Sequence, residues 1–187
     1  LHAGRLATEH LLALGHHRAI YVASPDYIDD SKKVQHYSVE DRPKGYFQAM
    51  QGADLEPEIV EMTSDIRESC ARIVKAVTDS RNEGEVAITG VVTHSIDAVP
   101  RIREGLLAVG LKCPEDVSLV SADDMHATRR TWPEITGVSC DRYQMGRWAA
   151  RMMLDKVEQD GAPQQSRVFR GDLYDGETAA PVAGDAG

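Results

Sequence analysis

Two acids, Asp123 and Asp124, stand directly behind the apolar run that holds Val117, Leu119, Val120 and Ala122. An ionised carboxylate is an acceptor-only group, which suits a partner rich in hydroxyls. Either acid could equally cap the next turn. Arg42 carries the complementary chemistry, a planar fork of donors for hydroxyl or carboxylate oxygens. As a plain surface residue it would pair with Asp41 near a helix start. His94, Ser95 and Asp97 have the side-chain types of a hydrolytic triad. Adjacency in sequence is not triad geometry, however, and no nucleophile elbow surrounds Ser95. His16 and His17 follow a helix end, where a partly charged imidazole is favourable, so they are not expected to bind metal. Cys70, Cys113 and Cys140 are odd in number and fit no metal spacing. A reducing, cytosolic compartment is the expectation.

The elements that must position these groups follow from hydrophobic period. Ala3, Ala7, Leu11 and Leu14 recur at helical spacing over 2–14, and Gly15 is the stop signal. AIYVA (19–23) is the first strand. The polar stretch 24–41 exceeds the usual α/β connection of ~2–6 residues, which points to a functional or mobile loop. It holds Lys32, Lys33 and His36, too few basic groups for a nucleic-acid patch. A helix is expected from Asp41, with Pro43 in its first turn. A strand follows at 58–62, a helix at 66–78 and a strand at 85–92. A helix over 97–109 accommodates Pro100, because the third helical position needs no intrahelical N–H bond. Gly110 ends it and Pro114 blocks continuation. The strand 117–122 is apolar almost throughout, as in a strand covered on both faces. A short strand at 136–139, a helix at 142–159, a strand at 167–174 and a disordered tail over 179–187 complete the reading. Met145, Trp148, Ala149 and Met152 form a packing stripe that needs cover, from the chain's own lobe or from a second copy.

The alternation of strand and helix predicts an α/β fold: a doubly wound parallel sheet with helices on both faces. In such sheets ligands bind beyond the carboxyl ends of the strands, where Asp123 and Asp124 sit. A net charge of −9 argues against this chain gripping nucleic acid by itself. No apolar run reaches the ~18 residues of a membrane span. No Gly-rich phosphate loop is present. The chain begins at Leu1 inside a helical pattern, as a fragment of a longer protein would.

Four segments, taken in order, resemble the effector-binding region of the lactose-repressor (LacI/GalR) family of bacterial transcription regulators. They are GRLATEHLLALGHHRAIYV (4–22), RPKGYFQAM (42–50), GLKCPEDVSLVSADD (110–124) and PEITGVSCDRYQMGRWAARMML (133–154). The resemblance implies one lobe of a periplasmic-binding-protein-like fold. Residues 1–139 would form the C-terminal lobe. Residues 140–169 would cross to a first lobe absent from this sequence, and 170–187 would return as a strand and tail. It also implies a small-molecule effector, sugar-like or nucleoside-like, with Arg42 and Asp123 as its contacts. The family's Asn-Asp pair falls at Ser95 and Ile96, and its crossover Gln at Cys140, so Ser95, His94 and Cys140 complete the candidate ligand set. No cofactor, metal or catalysis is expected. Operator DNA would be reached only through a helix-turn-helix domain outside these residues, and the protein would be a homodimer through helix 97–109 and the loop around Trp132. Two other classes share the fold: a solute-binding protein of a transport system and a doubly wound α/β enzyme.

Overall fold

A computed structural model describes residues 1–24, 37–82, 86–123, 132–158 and 166–182. In chain order the elements are α1 (His2–Ala13), β1 (Ala19–Ala23), α2 (Tyr37–Gly52), β2 (Glu58–Glu61), α3 (Ile66–Asn82), β3 (Gly90–Thr93), α4 (Ala98–Ala108), β4 (Ser118–Ser121), β5 (Thr136–Ser139), α5 (Arg142–Glu158) and β6 (Asp172–Tyr174). They build one six-stranded sheet in the order β2-β1-β3-β4-β5-β6. The first five strands run parallel, and β6 closes the edge antiparallel to β5.

Side chains alternate across the sheet, so each central strand feeds two cores. Ile20, Val22, Val91 and Leu119 face α3 and α4, where Ile73, Val77, Ile102 and Leu106 meet them. Ala19, Tyr21, Ala23, Val92 and Val120 face α1 and α2, where Leu11, Tyr46 and Met50 close the other layer. The expected helix stops are in place. Gly15 (φ 86°) and Gly110 (φ 83°) take left-handed conformations. Beyond each, a backbone N–H returns to the helix: His16 to Leu11 O at 3.1 Å and Leu111 to Leu106 O at 2.9 Å.

Helices α1 and α2 approach until their backbones touch. A Cβ built on Gly4 would lie 1.9 Å from the carbonyl oxygen of Arg42, and one on Gly45 would lie 2.0 Å from that of Leu1. Only glycine permits this approach. Tyr46 then fastens α2 to the sheet. Its hydroxyl lies 2.8 Å from Ala19 O and 3.0 Å from Glu58 O, and it accepts from the Glu58 N–H at 2.8 Å. Burial in this position raises the phenol's pKa well above its ordinary value.

Several sequence expectations need correction. α2 opens at Tyr37 rather than near Asp41, because Ser38 and Val39 are already buried. Pro43 therefore lies inside the helix, not in its first turn. Packing on α1 and the Tyr46 anchor hold the helix across the missing N–H. β3 is shorter than 85–92, since its approach uses other partners: Ile88 N–H bonds Ser80 Oγ, and Thr89 N–H bonds Arg18 O. β6 covers only 172–174 of the expected 167–174, the part that meets β5. Residues 179–182 of the tail are held by hydrogen bonds rather than disordered. Ala180 N–H donates to Ser118 Oγ at 3.0 Å and Val182 N–H to Leu14 O at 3.0 Å. Residues 183–187 lie outside the described residues, as do Lys32, Lys33, His36 and Asp124.

His16 is no partly charged cap. It is 2 % exposed, with Nδ1 2.9 Å from Thr89 Oγ1 and Nε2 3.0 Å from Ala180 O. Burial lowers its pKa, against the opposing pull of the Ala180 carbonyl. The stripe on α5 does not fold back on its own lobe, because no residue of α5 is buried. Trp148 instead stacks under Arg167, whose guanidinium is 4.5 Å from the ring centroid.

Candidate ligand-binding site

Parallel strands bring their carboxyl ends to one edge, and the three central strands do so in register. Val22 pairs Thr93, and Thr93 pairs Ser121. The ladder runs one step past the strands: His94 N–H bonds Val22 O at 2.9 Å and Ala122 N–H bonds Thr93 O at 2.8 Å. His94 and Asp123 therefore emerge side by side behind β3 and β4. The Ser121 hydroxyl accepts from the Asp123 N–H at 3.2 Å and steadies the turn.

Arg42 reaches this edge from α2. One guanidinium nitrogen, Nη2, lies 2.6 Å from Asp123 Oδ1, and the other, Nη1, donates to His94 O at 2.7 Å. The pair is partly covered, with the side chains 19 % and 24 % exposed. Charge-assisted bonds of this length are stronger than neutral ones, and partial burial shields them from salt. The result is a fork and a carboxylate held against each other at the sheet's carboxyl edge. The fork offers donors to a ligand oxygen. The carboxylate has a second oxygen with acceptor capacity for a hydroxyl.

The five candidate residues separate into three groups. Arg42, Asp123 and His94 meet directly. Ser95 adjoins His94 in sequence and its Oγ accepts from the Asp97 N–H at 3.4 Å; Asp97 itself makes no side-chain cap bond at the start of α4. Cys140 follows β5 at the same sheet edge and is half-buried. The triad reading of His94, Ser95 and Asp97 gains no support, since Ser95 Oγ bonds backbone rather than imidazole. Sequence reasoning missed Tyr21, which it absorbed into an apolar strand. Tyr21 is fully buried, and its hydroxyl lies 3.0 Å from His94 Nδ1. The available signal was the type of residue: a buried phenol requires a hydrogen-bond partner. Among the described residues, no group of three or more His, Cys, Asp or Glu side chains could hold a metal ion. Nor is any helix there long and apolar enough to cross a membrane.

One sheet edge of this α/β lobe thus carries a donor fork and an acceptor side by side. The chain belongs to the periplasmic-binding-protein-like domain family, whose model matches residues 8–179. It is similar to the HTH-type transcriptional repressor PurR of Haemophilus influenzae (strain PittEE), with 25% identity over 170 residues, covering 88% of this chain and 47% of the relative. It is also similar to the HTH-type transcriptional repressor CytR of Escherichia coli (strain K12), with 26% identity over 165 residues, covering 87% and 45%. In fold it matches a LacI family transcriptional regulator from Enterococcus faecium, solved with bound ribose. The TM-score there is 0.74 at 20% identity, covering 97% of this chain and 63% of the other. The chain thus spans about half the length of the curated relatives it matches.

Proposed function

We propose that this chain is the effector-sensing lobe of a lactose-repressor-type transcription regulator. It binds a small sugar-like or nucleoside-like ligand at the Arg42–Asp123 edge. The observation that carries the reading is the ion pair itself, at 2.6 Å, placed where open α/β sheets receive their ligands. Arg42 donates to the ligand, Asp123 accepts from its hydroxyls, and His94, Ser95 and Cys140 border it. The activity is binding rather than catalysis. In the whole protein a second lobe covers the ligand and meets residues 140–169, whose helix α5 has no buried residue in this chain alone. The ligand shifts the balance of two lobe arrangements by its differential affinity for them. A helix-turn-helix domain outside these residues reads the operator, and the protein works in the cytoplasm.

The regulator acts as a homodimer through α4 and the segment around Trp132. A groove of about 780 Å³ runs between α3 and α4, lined by Ile66, Val74, Gly105 and Val109 among others, and it contains none of the five candidate residues. Outside that groove, Leu107 on α4 (62 % exposed) and Trp132 (84 %) are the apolar side chains left for a partner on the proposed dimer elements. The test of the effector site is calorimetric titration with D-ribose and a set of ribonucleosides. Wild type should bind at least one. Asp123→Ala should bind it at least tenfold more weakly, and in the full-length protein it should lose effector response while keeping operator affinity without effector. Equal affinity in Asp123→Ala would reject the site.

A further inference from the structure

At the amino ends of the strands, far from Arg42 and Asp123, the chain after β6 crosses back over the sheet, and His16 is built into the crossing. The main chain of 175–182 bonds β4 and the end of α1. Leu119 N–H donates to Thr178 O at 2.7 Å, Ala180 N–H to Ser118 Oγ at 3.0 Å and Val182 N–H to Leu14 O at 3.0 Å. His16, 2 % exposed, joins this segment to the approach of β3, with Nε2 3.0 Å from Ala180 O and Nδ1 2.9 Å from Thr89 Oγ1. A carbonyl oxygen only accepts, so Nε2 carries the proton of the neutral ring. Nδ1 then accepts from the Thr89 hydroxyl, and both nitrogens are satisfied. A charged ring fits this place badly. It needs a second proton on Nδ1, against a hydroxyl that donates there, and it loses water without gaining a carboxylate. Among the described residues the titratable groups that act on it are His10 and His17, of like sign when protonated. Asp175 lies 3.7 Å from His10. The neighbouring ends of β3 and β4 present the hydroxyls of Thr89 and Ser118. Burial accordingly lowers the His16 pKa.

We propose that His16 is an acid-sensitive latch: neutral, it fastens residues 175–182 to the end of α1 and the approach of β3, and protonated, it releases them while the parallel strands stay folded. The segment continues directly from β6, the strand by which the chain returns after α5. The latch therefore governs how firmly that return is anchored to the lobe. It lies at the opposite end of the strands from the effector site and stands independently of the effector reading.

The test is amide hydrogen exchange followed by NMR at pH 7.5 and 5.5, expressed as protection relative to an unstructured chain. A released ring titrates near its ordinary pH of about 6.5 and takes up a proton more readily than the latched one, so acid favours release. At pH 7.5 the amides of Ala180 and Val182 should be at least about tenfold less protected than those of Val91 and Val92 in β3, because release is local. At pH 5.5 the protection of Ala180 and Val182 should be lower still by about five- to tenfold, tenfold being the limit for a latched ring that stays neutral. His16→Gln keeps an amide donor for the Ala180 carbonyl and cannot titrate, so there the acid-induced fall should shrink below about twofold. Equal protection of the two sets of amides would mean that only whole-domain unfolding frees the ring, and would overturn the proposal. So would an acid-induced fall of less than twofold in wild type, or an undiminished fall in folded His16→Gln. Should that variant fail to fold, the wild-type protection pattern and the titration of the His16 ring resonances decide. A ring that titrates at or above pH 6.5 in the folded protein counts against the latch.

Discussion

Replacing Gly4 by alanine should disturb the candidate site through the backbone of Arg42. The added Cβ would lie 1.9 Å from Arg42 O, 2.8 Å from its carbonyl carbon and 3.1 Å from its Cα. Cβ contacts below 3.0 Å are essentially never seen, so the helices must part by about 1 Å. The obstacle is backbone, and no side-chain rotation relieves it. Overpacking of this kind costs about 1–3 kcal/mol. For a domain of this size each kcal/mol lowers the melting temperature by about 2–4 °C, giving a drop of about 2–12 °C. The same displacement moves the stretch of α2 that carries Arg42. A shift of that size would take the 2.6 and 2.7 Å bonds to Asp123 and His94 beyond hydrogen-bonding range. With charged hydrogen bonds worth about 1.5–3 kcal/mol, effector affinity should fall about tenfold or more. Gly52→Ala is the control, since nothing lies within 4 Å of its Cβ position. Thermal unfolding followed by circular dichroism gives the first number and calorimetry the second. A Gly4→Ala protein that melts and binds like wild type would refute the close packing of α1 on α2.

Histidine burial sets the acid limit. The folded pKa values of His16 and His10 are lowered chiefly by desolvation, although Asp175 pulls the latter back. Below pH ~6.5 the unfolded chain therefore takes up protons first. Stability is fully present above that pH and is lost as pH falls toward the folded values. Urea midpoints measured from pH 7.5 to 5 should fall, and His16→Gln should flatten the slope. Thr93 is fully buried and, among the described residues, its Oγ1 has no partner. Thr93→Val should be neutral or stabilising by up to ~1 kcal/mol in the same urea assay, whereas a clear loss would mean the hydroxyl is bonded. Leu107→Glu should turn a dimer into a monomer in light scattering without lowering helix content. The isolated chain, at net charge −9, should show no salt-sensitive operator binding in a mobility-shift assay.

The apolar runs AIYVA and VSLVSA were legible because a parallel sheet covered on both faces demands them, whereas the strand order β2-β1-β3-β4-β5-β6 came only from the structure. Gly15 and Gly110 were legible for a local reason, since a helix stop needs a residue tolerant of positive φ. Pro43 misled because local chemistry favours proline at helix starts, while tertiary packing carried α2 four residues further back from Asp41, to Tyr37. The tail misled in the same way. Its small residues look disordered, but in the described part, 179–182, Ala180 meets Ser118 and His16 across gaps of 62 and 164 residues. Arg42 and Asp123 could be named in advance, 81 residues apart, through their motifs. Tyr21 could not, because nothing in AIYVA says which strand end its hydroxyl will face.

The proposed effector contact is made by Arg42 and Asp123 together. The most direct measurement is a structure of the wild-type protein with its effector bound, obtained from the ligand that calorimetry identifies. The expected result is a ligand hydroxyl on an Asp123 carboxylate oxygen and a ligand oxygen within hydrogen-bonding distance of the Arg42 guanidinium. A ligand seated elsewhere, with the 2.6 Å Arg42–Asp123 pair intact and untouched, would contradict it.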